Sequence, residues 1–239
     1  MENIGELTTE QWLEGQLLLV DKPLGWSSFQ AVNAIKWALL KKLKLKKIKI
    51  GHAGTLDPLA SGLLIICVGK FTKRIPIFQG QIKTYTGTIS IGNTTPSYDL
   101  ETEFDKTFET AHISIEDLQE KTSQFKGEIE QIPPLFSALK KDGKRLYEYA
   151  RQGQETEIQP RKIEIHSFEI DPSKFDSKKE VDFEVVCSKG TYIRSLAHDY
   201  GKALESGAHL SALRRTKIGE YEVASALTPE EIKESLCVN

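Results

Sequence analysis

The sequence predicts an α+β protein with a mixed, mostly antiparallel central sheet flanked by helices and loops, and three patterns support this. Apolar and polar residues alternate over 84–91 and 181–187, which is typical of half-buried strands. Residues 27–39 and 115–125 instead place apolar side chains at helical spacing. These elements follow one another without a repeating β–α unit, which favours an antiparallel sheet.

The first predicted elements are a strand, a turn and a capped helix. The apolar run 16–20 ends at the turn signal Asp21-Lys22-Pro23. Ser27 is predicted to cap the following helix, because Gln30 lies three residues later, as a capping box requires. The apolar residues of this helix are Phe29, Val32, Ile35 and Leu39.

A glycine-containing loop precedes the most apolar strand of the chain. Residues 51–58 read Gly-His-Ala-Gly-Thr-Leu-Asp-Pro, and Pro58 biases Asp57 away from helical geometry. Residues 63–68 are apolar throughout, which predicts a central strand covered on both faces. Residues 71–78 predict a short helix that presents Lys73 and Arg74.

The second half of the chain continues the same mixture of elements. Ile132-Pro133-Pro134 breaks the chain, and the turn signal Asp142-Gly143 precedes a short helix over 145–151. Further helices are predicted over 192–204 and 229–236.

Composition bounds the class of protein. The 239 residues suffice to bury a core, and no apolar run approaches the roughly 20 residues of a membrane span. The polar, acidic N-terminal residues do not resemble a signal peptide. The three cysteines are far apart and show no metal-ligand spacing, and Cys67 and Cys187 are expected to be small buried side chains in a reducing cytosol. We therefore expect a cytoplasmic protein.

The charge is distributed unevenly. The formal net charge is −2, yet residues 33–54 contain no acid and seven lysines. Such a segment is either a solvated helix face or a surface that neutralises phosphates. The lysines are Lys36, Lys41, Lys42, Lys44, Lys46, Lys47 and Lys49.

Asp57 is the first candidate for chemistry. A carboxylate held extended in a loop can act as a base, a nucleophile or a metal ligand. An Asp-Pro pair is equally an ordinary turn. There is no second carboxylate nearby in sequence and no His/Cys/Asp cluster with metal spacing, so a paired-carboxylate hydrolase and a metal-dependent mechanism are not indicated.

A set of short blocks resembles the TruB family of pseudouridine synthases. The opening block is residues 17–28, LLLVDKPLGWSS, and the block around Asp57 is residues 51–62, GHAGTLDPLASG. The remaining blocks follow in the family's order, from residue 69 to residue 215. They are GKFTK (69–73), KTY (83–85), IPP (132–134), SALK (137–140), GKRLYEYARQG (143–153), CSKGTYIR (187–194), GAHL (207–210) and LRR (213–215).

The resemblance implies the pseudouridine synthase fold and an isomerase that converts uridine 55 in the T-loop of tRNA to pseudouridine. The target nucleotide flips out, its N-glycosidic bond breaks, the base rotates, and C5 of uracil bonds to the ribose. No cofactor or metal is implied. Asp57 matches the nucleophile, and attack at ribose C1′ or at the uracil ring both remain open.

Other residues take roles from the same blocks. Arg194 matches the arginine that pairs with the catalytic aspartate. Tyr85 matches the tyrosine that packs on uracil and assists proton removal at C5. His52 matches the histidine that fills the gap left by the flipped nucleotide. Tyr192 and Leu213 match a second tyrosine and an apolar pocket wall. Taken singly, each could be a core residue, a surface ion pair or a turn residue.

Two basic regions are expected to contact the tRNA stem-loop, beside Lys73. One is the lysine-rich segment that leads into the loop of Asp57. The other resembles the family's mobile thumb, an insertion over about 133–155. Their residues are Lys46, Lys47 and Lys49 in the first, and Lys140, Lys141, Lys144, Arg145 and Arg151 in the second.

The expected domain organisation is an N-terminal extension (1–14), a catalytic domain (15–226) and a short C-terminal helix or tail (227–239). The C-terminal RNA-binding domain of the PUA type, found in many bacterial relatives, is expected to be absent. The resemblance also implies a monomer that needs no protein partner and does not bind a membrane.

Three other functions are consistent with parts of the sequence. One is a tRNA-binding or tRNA-folding protein without catalysis, against which the joint presence of Asp57, Tyr85 and Arg194 argues. Another is a nucleosidase, which would use free uridine. The last is a relative that modifies rRNA with guide RNA, which normally has a longer chain.

Overall fold

The computed structural model describes residues 4–154 and 156–237, over which the chain forms eight α-helices and thirteen strands. In chain order they are α1 (Thr9–Glu14), β1 (Gln16–Lys22), α2 (Ser28–Leu43), β2 (Ile50–His52), β3 (Ala60–Val68), α3 (Ile75–Gly80), β4 (Lys83–Ile91), β5 (Asn93–Thr94), β6 (Lys106–Thr107), α4 (Ile115–Thr122), β7 (Gly127–Gln131), β8 (Lys140–Lys141), β9 (Lys144–Arg145), α5 (Leu146–Arg151), β10 (Arg161–Asp171), α6 (Phe175–Lys178), β11 (Glu180–Cys187), α7 (Ile193–Ala203), β12 (Ala208–Ile218), β13 (Tyr221–Glu222) and α8 (Pro229–Cys237). Short 3-10 helices lie at Gly69–Arg74, Ser123–Phe125 and Val223–Ser225.

Two compact units make up the chain. The first comprises residues 1–85 and 214–239, and the second comprises residues 86–213. Strands β4 and β12 contribute residues to both units.

The first unit is built around β3. Its strands pair in the order β1-β3-β12-β4, with β2 added to β3 and β13 to β12. Strand β1 runs antiparallel to β3, with Val20 opposite Leu64. Apolar side chains cover both faces of β3, as its sequence predicts: Leu64, Ile66 and Val68 face one cluster, and Leu63, Ile65 and Cys67 face another.

Helices α1 and α8 belong to the core of this unit. Trp12 of α1 is fully buried in the same cluster as Ile232 and Leu236 of α8. These helices lie in the segments expected to be an extension and a tail. Residues 1–3 and 238–239 of those segments, and residue 155 of the expected thumb, lie outside the described residues.

The second unit contains the strand order β12-β4-β11-β10-β7. Strands β10 and β11 are antiparallel, with Phe168 opposite Val185, and β10 also pairs antiparallel with β7. An aromatic cluster stabilises this unit: Phe168 makes edge-to-face contacts with Phe125, Phe183 and Tyr200. The Tyr200 hydroxyl donates to the Leu118 carbonyl at 2.6 Å, so this buried polar group is satisfied.

The predicted fold class is confirmed, as are most predicted elements. Ser27 caps α2 with the expected capping box to Gln30, and Cys67 and Cys187 are buried. Three details are wrong. Phe29 is exposed, because Ala31 takes the place in the buried stripe. Gly51 and His52 belong to β2 and not to a loop. Residues 71–78 do not form one helix: a 3-10 helix ends at Arg74, and α3 begins at Ile75 with Pro76 in its first turn.

Candidate active site

The loop that carries Asp57 connects β2 to β3 in the first unit. It is held at both ends by backbone hydrogen bonds: the Ala53 N–H donates to the Ile65 carbonyl at 2.9 Å, and the Ala60 N–H to the Asp57 carbonyl at 3.0 Å. A third bond holds the residue after Asp57, where the Gly25 N–H donates to the Pro58 carbonyl at 2.8 Å. The Asp57 side chain is half-buried on this fixed backbone.

Ser28, the first residue of α2, secures the residue before Asp57. Its hydroxyl accepts a hydrogen bond from the Leu56 N–H at 2.8 Å and donates to the Leu56 carbonyl at 3.0 Å. Both polar groups of one peptide residue are thus satisfied by one buried side chain. The start of α2 therefore determines the position of the loop.

Lys22 places a buried positive charge near Asp57. Its ammonium donates to the Pro23 carbonyl at 3.0 Å and to the Trp26 carbonyl, which fixes the turn after β1. The pKa of Lys22 is lowered from 10.5 to about 8, mainly by burial. The charge of Asp57 raises this pKa, the charge of Arg215 lowers it, and the charge of Asp21 raises it. Lys22 is thus close enough to Asp57 for the two charges to interact.

Arg215 of β12 lies between the loop of Asp57 and the ring of Tyr85. It is only 1% exposed, and its guanidinium donates to the Leu63 carbonyl at 2.7 Å and to the Gly54 carbonyl at 3.1 Å. The same guanidinium lies 5.9 Å from the ring centroid of Tyr85. Arg215 therefore contacts both the loop of Asp57 and the ring of Tyr85.

His52 lies at the end of β2, two residues before Gly54. Burial lowers the pKa of the imidazole; the Gly54 backbone raises it, and the charge of Arg215 lowers it further. The ring is consequently neutral near pH 7. His52, Tyr85 and Gly54 in the loop of Asp57 thus share Arg215 as a common neighbour in the first unit.

Arg194 lies in the first turn of α7 in the second unit, and its side chain is 5% exposed. Its guanidinium is 3.6 Å from a carboxylate oxygen of Asp99, which is equally buried, and it donates to the Ser97 carbonyl at 3.3 Å. The short segment 97–99 therefore orients the arginine.

Tyr192 and Leu213 also lie in the second unit. Tyr192 precedes α7, and Gln131 accepts from its N–H at 2.8 Å and donates to its carbonyl at 3.0 Å. The Arg161 guanidinium lies 5.3 Å from its ring centroid. Leu213 is half-buried in β12.

The two expected basic regions are exposed. In the first unit, Lys46, Lys47, Lys49 and Lys73 are accessible to solvent. In the second unit, Lys140 and Lys141 pair with Arg145 and Lys144 across a hairpin, where Asp142 and Gly143 have φ of 51° and 82°. Two positive φ values at Asp-Gly are typical of a tight hairpin turn.

Aromatic rings border this hairpin. The guanidinium groups of Arg145 and Arg151 lie 5.9 Å and 5.3 Å from the Tyr147 ring, and the Lys144 ammonium lies 5.9 Å from the Tyr149 ring. Together these side chains form a cationic and aromatic surface.

Sequence reasoning assigned no role to four buried polar residues: Lys22, Ser28, Arg215 and Asp99. The sequence could have predicted the burial of Lys22. In a strand alternate side chains share a face, so Lys22 falls on the same buried face of β1 as Leu18 and Val20. Arg215 lies in a quoted block, but its burial depends on tertiary contacts with Leu63 and Gly54.

Comparison with known families gives two matches. Residues 41–193 match the family model "TruB family pseudouridylate synthase (N terminal domain)". Residues 194–239 match the model "tRNA pseudouridylate synthase B C-terminal domain". Together they cover residues 41 to 239.

Curated relatives are similar over nearly the whole chain. The tRNA pseudouridine synthase B of Flavobacterium johnsoniae is 62% identical over 231 residues, covering 96% of this chain and 100% of that protein. The protein of the same name from Bacteroides thetaiotaomicron is 49% identical over 222 residues, covering 92% of both chains.

Solved structures agree with the fold. A Cbf5-Nop10-Gar1 complex contains a chain that matches with a TM-score of 0.67 and 27% identity, over 94% of this chain. An H/ACA RNP bound to a substrate RNA containing 2′-deoxyuridine gives a TM-score of 0.66 at 24% identity, over 96% of this chain, and supports the fold alone. This chain spans only 55% and 56% of those two chains.

The fold and these matches define the class as a pseudouridine synthase, which is an isomerase of uridine in RNA. Within that class, the chain belongs to the TruB family. No helix among residues 4–154 and 156–237 combines the length and the hydropathy that a bilayer span requires.

Proposed function

We propose that this chain isomerises uridine 55 in the T-loop of tRNA to pseudouridine, with Asp57 as the nucleophile. The relatives from F. johnsoniae and B. thetaiotaomicron support tRNA as the substrate, because their similarity extends over more than nine-tenths of this chain. The reaction breaks the bond from N1 to ribose C1′, turns the uracil, forms the bond from C5 to C1′, and releases the C5 proton. N1 takes up a proton, so the product is an isomer of uridine.

The observation that supports Asp57 most directly is its rigid attachment. The loop is fixed by Ser28, Gly25 and Arg215, while the carboxylate itself remains half-buried. A nucleophile must be held in attacking geometry before the substrate arrives, and such preorganisation contributes several kcal/mol, about 7 or more in favourable cases. The buried charge of Lys22 adds an electrostatic attraction to the carboxylate form.

The aromatic and imidazole side chains of the first unit suit a flipped nucleotide. Tyr85 is assigned to pack on the uracil ring, which replaces stacking worth roughly 1–3 kcal/mol. His52 is assigned to fill the gap in the RNA. Because its imidazole is neutral near pH 7, it can insert among bases without the cost of burying a charge.

Three further residues have roles that the family resemblance implies. Arg194 has the role that the family resemblance gives it, as the cation that serves the catalytic aspartate, and Asp99 holds its guanidinium in place. Tyr192 and Leu213 are assigned to the pocket wall. Lys46, Lys47, Lys49, Lys73 and the hairpin cations are assigned to phosphates of the tRNA.

The test is release of tritium from tRNA transcript labelled at C5 of uridine. Wild type should release it, and Asp57→Asn should lose activity by about a thousandfold or more while it still binds tRNA. Asp176→Asn, which alters an exposed carboxylate on α6, is the matched control and should behave as wild type. Only purified chain and transcript are present, so activity also shows that no protein partner is needed.

Each alternative gives a different result. Tritium release by Asp57→Asn at the wild-type rate would mean that another residue is the nucleophile. Binding without release by wild type would indicate a non-catalytic tRNA-binding protein. Release from a transcript with cytidine at position 55 would place the target elsewhere. A nucleosidase would instead convert free uridine to uracil and ribose, and the tritium at C5 would stay on the uracil.

A further inference from the structure

The solvent-facing side of α2 carries a tryptophan between lysines. Trp37 is 68% exposed, Lys41 is exposed one turn further along the helix, and Lys44 is exposed at the position that caps the end of the helix. At about 100° per residue, the side chains of Trp37 and Lys41 lie roughly 40° apart around the helix axis. Phe29, about two turns before Trp37, is 70% exposed. It lies roughly 80° from Trp37 around the helix axis, at the edge of this side of the helix.

Packing of the first unit does not account for this tryptophan. The opposite side of α2 is already filled by Ala31, Val32, Ile35 and Leu39, all of which are buried. The other two tryptophans, Trp12 and Trp26, are fully buried and half-buried. Trp37 therefore offers a large flat ring to solvent without a part in the described core.

The surroundings of Trp37 are strongly cationic. The seven lysines between residues 33 and 54 have no acidic residue among them in sequence. Over the described parts of the chain, 4–154 and 156–237, none of the seven forms an ion pair, and Lys42 donates to the Leu236 carbonyl. Their charge is consequently available to an external anion.

We propose that Trp37, Lys41 and Lys44, with Phe29 at one end, form a second RNA-binding surface, which we name the α2 surface. The lysines contact phosphates, and Trp37 stacks on an unpaired base of the tRNA outside the modified loop. This inference rests on the proposed function, because it assigns a further contact to the same substrate.

RNA fits this surface better than a protein does. Lysine is depleted in protein–protein interfaces, whereas an aromatic ring beside cations is the usual arrangement for an unpaired nucleotide. The lysine-rich segment continues without interruption to β2 and the loop of Asp57, so one RNA molecule can extend along it.

The first test compares tRNA affinity and turnover. Trp37→Ala should weaken binding of full-length tRNA by roughly tenfold, and Trp37→Phe should restore most of it. Under single-turnover conditions, Trp37→Ala should raise the half-saturating enzyme concentration and leave the maximal rate unchanged. Lys41→Gln should reduce the slope of log affinity against log salt by about one.

Two matched controls exclude general surface effects. Ile77→Ala removes a side chain that is 63% exposed on α3, and Lys178→Gln neutralises an exposed cation on α6. Both should bind tRNA as wild type does. A minimal T-arm stem-loop should bind to wild type and Trp37→Ala equally, because the proposed contact lies outside that arm.

A second test measures the tryptophan directly. Acrylamide should quench the fluorescence of Trp37 in the isolated chain, and saturating tRNA should protect this fluorescence from quenching. The protected component should be absent in Trp37→Phe.

Two results would overturn the proposal: wild-type tRNA affinity in Trp37→Ala, or unchanged quenching with tRNA bound. Self-association lost in Trp37→Ala, with RNA binding intact, would identify a contact between copies instead. A wild-type chain that releases no tritium would count against the proposed function and leave these binding measurements unaffected.

Discussion

His198 shows how a single buried group makes stability depend on pH. Its ring stacks on Tyr98 with centroids 3.8 Å apart, one turn after Arg194 on α7. The pKa of His198 is lowered from 6.5 to about 4, mainly by burial. The charge of Lys202 also lowers this pKa, and the charge of Asp105 raises it. Tyr98 itself has a positive φ of 64°, an uncommon backbone conformation for a residue with a side chain, and precedes Asp99.

We predict that acid destabilises the chain through this residue. Between pH 6.5 and about 4 the unfolded chain binds a proton at His198 that the folded chain does not, so the free energy of unfolding falls as pH falls. Because the ring is partly exposed, screening reduces the effect to about 1–2 kcal/mol. Chemical denaturation of wild type and His198→Gln at pH 7.5 and pH 4.5 measures it. Equal losses of stability in both proteins would contradict the assignment.

At the scale of elements, the start of α2 serves two purposes through adjacent serines. Ser27 caps the helix, because its hydroxyl accepts from the Gln30 N–H at 3.2 Å. Ser28 instead clamps Leu56, the residue before Asp57. The same short segment therefore provides helix stability and loop position through different hydroxyl groups.

Substitution of these serines should separate the two purposes. Ser28→Ala removes both bonds to Leu56, so we expect a loss of about 1–3 kcal/mol in stability and a fall in kcat of about tenfold or more, since Asp57 shifts. Ser27→Ala is the matched control and should cost about 1 kcal/mol with kcat unchanged. The measurements are denaturant unfolding and single-turnover tritium release. Equal kcat values for the two variants would show that Leu56 does not position Asp57, the proposed nucleophile.

Elements with a strong local pattern could be predicted from sequence, and elements defined by tertiary contacts could not. The capping box of α2 and the alternation in β4 and β11 are local signals. Helix α1 also has a capping box, which is a local signal. Its packing against the rest of the first unit depends instead on the burial of one residue, Trp12, which is a tertiary contact. Strand β12 shows no clean alternation, because its buried side includes His209 and Arg215.

The same division applies to the candidate site. Asp57, Tyr85 and Arg194 are predicted from family blocks, because the role proposed for each depends on residue type at a fixed place in a motif. The residues that hold them, such as Ser28, Arg215 and Asp99, act through contacts with residues distant in sequence. Such contacts appear only in the folded chain.

For the whole molecule, RNA binding has to arise from charge distribution, since the net charge is −2. The cations are concentrated in residues 33–54 and in the hairpin of β8 and β9, while many acids lie in residues 101–120 and in the C-terminal segment. Local clusters of this kind attract phosphates within a Debye length of about 8–10 Å, where the net charge of the molecule matters little.

Charge reversal in the hairpin tests this view. Lys144→Glu with Arg145→Glu should weaken tRNA binding at least tenfold at low salt and reduce the slope of log affinity against log salt by about two, because two phosphate contacts are lost. Both side chains are exposed, so stability should change little. Filter binding from about 50 to 200 mM salt, with Lys178→Glu on α6 as the control for general repulsion, provides the measurement. If the double variant keeps the wild-type slope, the hairpin does not contact phosphates, and the α2 surface and the lysines before β2 must account for the salt dependence alone.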